Sequence, residues 1–183
     1  MDEHSFHRAR RGDHAAFATL VASYEKLVYN IAYRFFCHAA DAEDICQTVF
    51  LKVYQKLPEF RDYKGLKAWI CAIASNACID ESRRRKGRQT ESLYLDLGDE
   101  GEMERPIPAA DPSPEEALLE KEGVAAVEEA IARLPEEFRL CLVLRDLQQL
   151  SYEEVAAALG VSLGTVKSRL ARGRERVRRM LEE

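Results

Sequence analysis

No Cys-x-x-Cys pair occurs in this chain, although it holds five cysteines, Cys37, Cys46, Cys71, Cys78 and Cys141. An odd number at irregular spacing argues against a disulfide framework. No apolar run approaches the roughly 20 residues that span a bilayer. The opening stretch MDEHSFHRARRGDHAAF lacks the unbroken apolar core of a secretory signal. A cytoplasmic protein with no membrane insertion is the expectation. Strand-like alternation of useful length is missing, and so is any internal repeat. There is also no Gly-rich phosphate loop, no metal-spaced His/Cys/Asp cluster and no nucleophile beside a credible base. An enzyme is therefore not expected, nor is a cofactor or metal.

Hydrophobic residues make up 46% of the 183 positions, enough for a packed core and too many for global disorder. The cysteines fall mostly on faces that also carry Ile, Val or Ala, so they read as core filling. The alternative is a zinc or redox site drawn from Cys37, His38, His4, His7 and His14.

The net charge of −5 hides a strong segregation. Residues 1–88 carry 15 Lys/Arg against 11 Asp/Glu, residues 89–122 carry 2 against 11, and residues 123–183 carry 10 of each. Within the last block, positions 162–181 hold seven Lys/Arg and one Glu. The chain thus runs from mildly basic to strongly acidic, and ends on a basic stretch.

Apolar residues at helical spacing mark a helix over 14–37, from Phe17 through Ile31 to Phe35. The pattern returns over 41–57, with Asp41 as the expected N-cap and Pro58 as the stop. A polar loop, PEFRDYKG, leads to a third helix over about Leu66–Arg84. That helix is apolar on two sides, as in the centre of a bundle. Gly, Pro and acidic residues then take over around PIPAADPSP, which blocks regular pairing. Helical signal resumes at about Glu115 with Leu118, Leu119, Val124, Val127 and Ile131, and again with Phe138–Leu147. The expectation is an all-α fold of two small helical domains, 1–88 and 115–183, joined by a flexible acidic linker, 89–114.

The stretch SYEEVAAALGVSLGTVKSRL meets the physical criteria of a helix-turn-helix. Ser151 with Glu154 forms a capping box. Gly160 stands where the turn needs a left-handed residue. Ser162 can cap the next helix, and Val166 returns that helix to the core. Its polar face, within a helix running from about Leu163 to Arg179, carries Lys167, Ser168, Arg169, Arg172 and Arg176. Cations on a helix of this size suit the major groove. The plain alternative is a solvated basic face.

LPEEFRLCLVLRDLQQLSYEEVAAALGVSLGTVKSRLARGRERVRRML resembles the C-terminal promoter-binding domain of extracytoplasmic-function (ECF) sigma factors. YEKLVYNIAYRFFCHAADAEDICQTVFLKVYQKLPEFRDYKGLKAWICAIASNACIDESRRRKGR resembles the first conserved domain of the same family. The two blocks in this order cover nearly the whole chain. The resemblance implies a transcription initiation factor that binds core RNA polymerase, recognises the minus-thirty-five and minus-ten promoter elements and assists melting. A conventional helix-turn-helix regulator is the competing class, but no ligand pocket, phosphoacceptor domain or dimer helix is evident for it.

Matched position by position, the resemblance implies roles for individual residues. DAEDICQTVFLKVYQK corresponds to the polymerase-docking helix, with Asp44, Gln47, Leu51 and Gln55 off its apolar face. Thr48 departs from the family, which often has Glu there. FRDYKGLKAW corresponds to the loop that captures an unpaired base, and Phe60, Arg61, Tyr63 and Lys64 supply aromatic and cationic groups suited to a single strand. Trp69 supplies a further aromatic; the alternative is that Phe60 and Trp69 are bundle core, and for Trp69 that is the preferred reading. Asn76 and Asp80 match positions facing the same strand, with Asp80 expected to orient Arg83 or Arg84. Arg83, Arg84, Arg85, Lys86 and Arg88 would hold the backbone. In the second domain Lys167, Ser168, Ala171 and Arg172 match readers of the upstream duplex, Thr165 and Arg169 suit phosphates, and Arg176 extends the row. The resemblance also implies an anti-sigma factor as partner, clamped between the domains. The acidic linker suits a nucleic-acid mimic or a plain spacer.

Overall fold

The computed structural model describes residues 2–91, 123 and 126–182. Among them every regular element is helical. The first four helices are α1 (Glu3–Arg10), α2 (His14–Phe36), α3 (Ala39–Lys56) and α4 (Leu66–Glu91). A helix over 126–132 follows as α5. Then come α6 (Glu136–Leu142), a π-helical extension of it (Val143–Leu147), α7 (Tyr152–Leu159) and α8 (Leu163–Glu182).

The first domain is a bundle in which α2, α3 and α4 pack on one another and α1 lies across α2. Leu20, Val28 and Ile31 of α2, Val49 and Val53 of α3, and Ile70 and Ala74 of α4 are completely buried. Each such Val, Leu or Ile contributes about 1.5–3 kcal/mol relative to exposure. Helix α2 ends where Cys37 adopts a left-handed conformation (φ 56°) and its N–H caps the Tyr33 carbonyl. His38 caps α3, with its Nδ1 accepting from the Asp41 N–H. Asp41 is thus inside the first turn rather than the cap, and its carboxylate is used elsewhere.

Helix α4 continues to Glu91, seven residues beyond the expected end at Arg84 and three beyond the expected domain limit at 88. A lone Gly87 costs only about 1 kcal/mol, and the surrounding Arg, Lys and Glu are good helix formers. Glu81 supports the run by pairing with Arg84 at 2.7 Å and Arg85 at 3.0 Å. The rest of the expected acidic linker, together with Leu118, Leu119 and Val124, lies outside the described residues. Ile131 is buried as expected, but Val127 is exposed.

In the second domain α6 packs on α8, and α7 packs on α8 and the π segment. The capping box forms as read: the Glu154 N–H donates to Ser151 Oγ, and the Ser151 N–H donates to the Glu154 carboxylate. Gly160 closes α7 at φ 63°. Ser162 Oγ accepts from the Thr165 N–H and so caps α8. Val166 and Leu170 bury against the domain. Gly173 allows close approach, since a Cβ there would stand 3.1 Å from Leu142 Cδ1.

The two domains pack together, chiefly α4 on α7 and α2 on α6. Lys67 Nζ donates to the Gln148 carbonyl. Ser82 Oγ and Lys86 Nζ both donate to Glu136 Oε1, at 2.6 and 2.8 Å. Arg34 pairs with Glu128 at 2.8 Å. The half-buried Arg139 guanidinium donates to the carbonyls of Phe35, Ala132 and Leu134. No helix among the described residues is long and apolar enough to cross a membrane.

Candidate nucleic-acid and protein interfaces

Helix α3 presents its core residues Ala42, Ile45, Val49 and Val53 on one side. Asp44, Gln47, Leu51 and Gln55 stand exposed on another, at spacings of three and four that stack them along one helix face. Leu51 is 64% exposed in the middle of this row. Thr48 lies beside it, also exposed. Tyr54 adds a partly covered aromatic, edge-on to Phe17. The face thus combines one apolar knob with amides and a carboxylate, a composition suited to a protein partner.

The loop between α3 and α4 gathers aromatics. Phe60 stacks on Trp69 with ring centroids 4.3 Å apart and planes at 12°. Trp69 is half-buried and packs against the hydrophobic core, in keeping with its reading as part of the bundle. Arg61 and Lys64 are exposed beside it, and Tyr63 is half-buried. Beneath the loop sits Phe6 of α1, fully buried, 5.5 Å from the Tyr63 ring and 6.3 Å from Phe60. Sequence periodicity does not reveal α1, which buries only Phe6 and Ala9 over two turns.

Asn76, Asp80, Arg83 and Arg84 are exposed along the outer face of α4. Asp80 lies 4.0 Å from Lys52 of α3 rather than orienting Arg83 or Arg84. Glu81 takes the latter role for Arg84. Arg85 does not belong with the strand-holding cations either. It donates to both carboxylate oxygens of Asp41, at 2.7 and 2.6 Å, and lies over the Phe36 ring. Those bonds hold the Asp41 carboxyl below its ordinary range. Lys86 is engaged by Glu136 of the second domain.

On α8 the seven basic residues of positions 162–181 divide in two. Arg174 grips Asp146 through two bonds, Arg178 and Arg179 pair with Glu175, and Arg169 pairs with Glu137 at 2.9 Å. Arg176 lies over the Phe138 ring. Lys167, Ser168, Ala171 and Arg172 form the outward row, at positions opposite Val166, Leu170 and Gly173. Thr165 is half-exposed at the capped N-terminus. The expected readers therefore share one face, while Arg169 and Arg176 are held to the domain itself.

The thiols have structural surroundings. Burial pushes Cys71 and Cys78 up to about 12 and Cys46 to about 11, and raises Cys37 and Cys141 as well. Raised values suppress the thiolate that redox chemistry and metal binding need. Of the histidines considered with them, His38 caps α3, His14 stacks on Tyr54 and His7 sits beside Glu3.

The Sigma-70 region 2 family matches residues 20–88, and the Sigma-70, region 4 family matches residues 125–177. The ECF RNA polymerase sigma factor SigW of Bacillus subtilis is 33% identical over 180 residues, covering 96% of this chain and 94% of that protein. The RNA polymerase sigma-H factor of Pseudomonas aeruginosa is 34% identical over 183 residues, covering 100% of this chain and 94% of that one. In fold, the chain is similar to the sigma factor RpoE of Bartonella quintana, solved in complex with the anti-sigma factor NepR. That match has a TM-score of 0.73 and 23% identity, over 91% of this chain and 96% of that one. Identity at this level along nearly the whole length, with both conserved regions in order, places the chain in the ECF family of RNA polymerase sigma factors, the promoter-recognising factors of transcription initiation.

Proposed function

We propose that the three exposed surfaces divide the work of initiation. Asp44, Gln47, Leu51 and Gln55 dock core polymerase. Phe60, Arg61, Tyr63 and Lys64, with Asn76, Asp80, Arg83 and Arg84, hold the melted non-template strand. Lys167, Ser168, Ala171 and Arg172 read the upstream duplex, with Thr165 near a phosphate and Arg169 and Arg176 supporting the helix. Residues 1–88, 89–114 and 115–183 are then the docking and melting domain, the acidic linker and the upstream reader. The observation that carries this division is the outer row of α3 with Leu51 exposed among polar residues. A helix-turn-helix suits many regulators, but a free-standing regulator has no use for that row.

The chain carries no chemistry of its own in this scheme. It acts in the cytoplasm beside core polymerase, and the covalent steps belong to the polymerase. An anti-sigma factor is the expected controlling partner, by analogy with the partner of the RpoE relative.

Distance supports one further element. The minus-thirty-five and minus-ten elements are about 25 base pairs apart, or about 85 Å along B-DNA. Domains joined by direct contacts such as Lys67 to Gln148 do not reach both at once. The packed form is thus a resting form that opens on polymerase. The 31 residues from 92 to 122 could reach about 100 Å if fully extended, enough to bridge the gap.

Run-off transcription with purified core polymerase tests the proposal. Promoter-specific initiation that requires this protein supports it. Failure on every candidate promoter, including the one upstream of its own gene, refutes it.

A further inference from the structure

We infer that α1 is a positioning element for the loop that captures the unpaired base, acting through Phe6 and Arg10. This rests on the assignment of that loop to the melted strand. Phe6 is completely buried although it lies in an eight-residue helix near the chain end. Its ring meets both aromatics of the loop, Phe60 edge-on and Tyr63 at a tilt. Arg10, one turn further on, donates through Nη2 to the Pro58 carbonyl at 3.0 Å, where the loop leaves α3. The Arg10 guanidinium also lies 5.7 Å from the centre of the Phe6 ring.

These contacts address different parts of one short segment. Arg10 fixes the backbone at Pro58, Phe6 supports the rings at 60 and 63, and Trp69 covers the far side of Phe60. Arg10 accepts a cost for this arrangement, because its Nε is buried without a hydrogen-bond partner. The remaining N-terminal helix is polar, with Asp2 capping it and Asp13 gripping Arg8. The helix packs on α2, and the Phe6 ring that it buries also meets the loop.

The physical role is preorganisation. A base stacks productively only if the aromatic platform is already oriented, since ordering it at the moment of capture consumes binding energy. Phe6 and Arg10 touch no nucleotide in this scheme. They hold Phe60 and Tyr63 at a fixed angle, and Arg61 and Lys64 are carried with them.

The test uses full-length protein assembled with core polymerase. Binding is measured to a single-stranded oligonucleotide carrying the melted element, and to the same oligonucleotide with the captured base removed. For Arg10→Met, the intact strand should bind on the order of fivefold more weakly, while the abasic strand binds as for the parent. Arg10→Lys restores a donor to Pro58 and should recover most of the loss. Phe6→Leu keeps apolar volume without the ring and should behave like Arg10→Met. Equal losses on both strands would overturn the inference, because α1 would then act through general stability. Unchanged binding of Arg10→Met, while Phe60→Ala loses base discrimination, would overturn it with the loop assignment intact. If the parent itself does not distinguish the two strands, the loop assignment fails and takes this inference with it.

Discussion

Lys67 Nζ donates to the Gln148 carbonyl at 2.6 Å, a bond between residues 81 apart in sequence and on different domains. Glu136 makes a second bridge, accepting from Ser82 and Lys86. The double variant Lys67→Met, Glu136→Gln should lose about 1–3 kcal/mol of interdomain attraction, and the closed-to-open ratio should fall roughly five- to 150-fold. Small-angle scattering should show a larger radius of gyration. Unchanged dimensions would mean that apolar contact and Arg139 hold the domains without these bridges.

Two substitutions should separate polymerase docking from duplex recognition. Arg172→Ala should weaken binding of the upstream element by about 1–3 kcal/mol if the guanidinium meets a base edge bidentately. Its affinity for core polymerase should hardly change. Asp44→Ala should show the opposite pattern in the same two binding assays. Impairment of one common step by both would contradict the division of surfaces.

The Asp41–Arg85 pair gives the first domain an acid-sensitive component. Hydrogen bonds from Arg85 lower the Asp41 pKa in the folded state. Its contribution is therefore present above the unfolded value near 3.9 and is lost as the pH falls through the lower folded value. Asp41→Asn should be clearly less stable than the parent at pH 7. The gap in urea midpoint between the two should narrow towards pH 3. A gap independent of pH would show that the pair contributes through packing, including Arg85 over Phe36, and not through charge.

Gly160 tests the turn of the second domain. Its φ of 63° is costly for any residue with a Cβ, yet no atom within 4 Å would obstruct one. Gly160→Ala should thus cost about 1–2 kcal/mol through the backbone alone. That lowers the melting temperature of a domain this size by several degrees. Gly160→Asn should cost less, because Asn tolerates the left-handed region. Loss of duplex binding beyond the loss of stability would show that the turn also sets the angle of α8.

Much of this was legible in the residues. The capping box at Ser151 and Glu154, the turn at Gly160 and the cap at Ser162 are local, and local hydrogen bonding decides them. The outward row at Lys167, Ser168, Ala171 and Arg172 follows from helical periodicity. Helix α1 was not legible, because Phe6 and Ala9 alone make too short a pattern to register. Arg85 was misread as a strand-holding cation because its partner Asp41 lies 44 positions away. The same holds for Asp80, whose neighbour Lys52 is on another helix. Nothing in the pattern of either half signals that the halves pack together, since that packing joins residues far apart in sequence, such as Lys67 with Gln148, Ser82 with Glu136 and Arg34 with Glu128.

Arg139 collects three carbonyls, from Phe35 at the end of α2, Ala132 at the end of α5 and Leu134 in the turn before α6. The first two are terminal acceptors that helix geometry leaves without an internal partner. A single cation thus finishes the ends of helices from both halves of the chain. In the free protein neither half can fray at this seam without exposing the guanidinium and the carbonyls of the other. Unfolding of the two halves is consequently coupled into one cooperative event while they are packed.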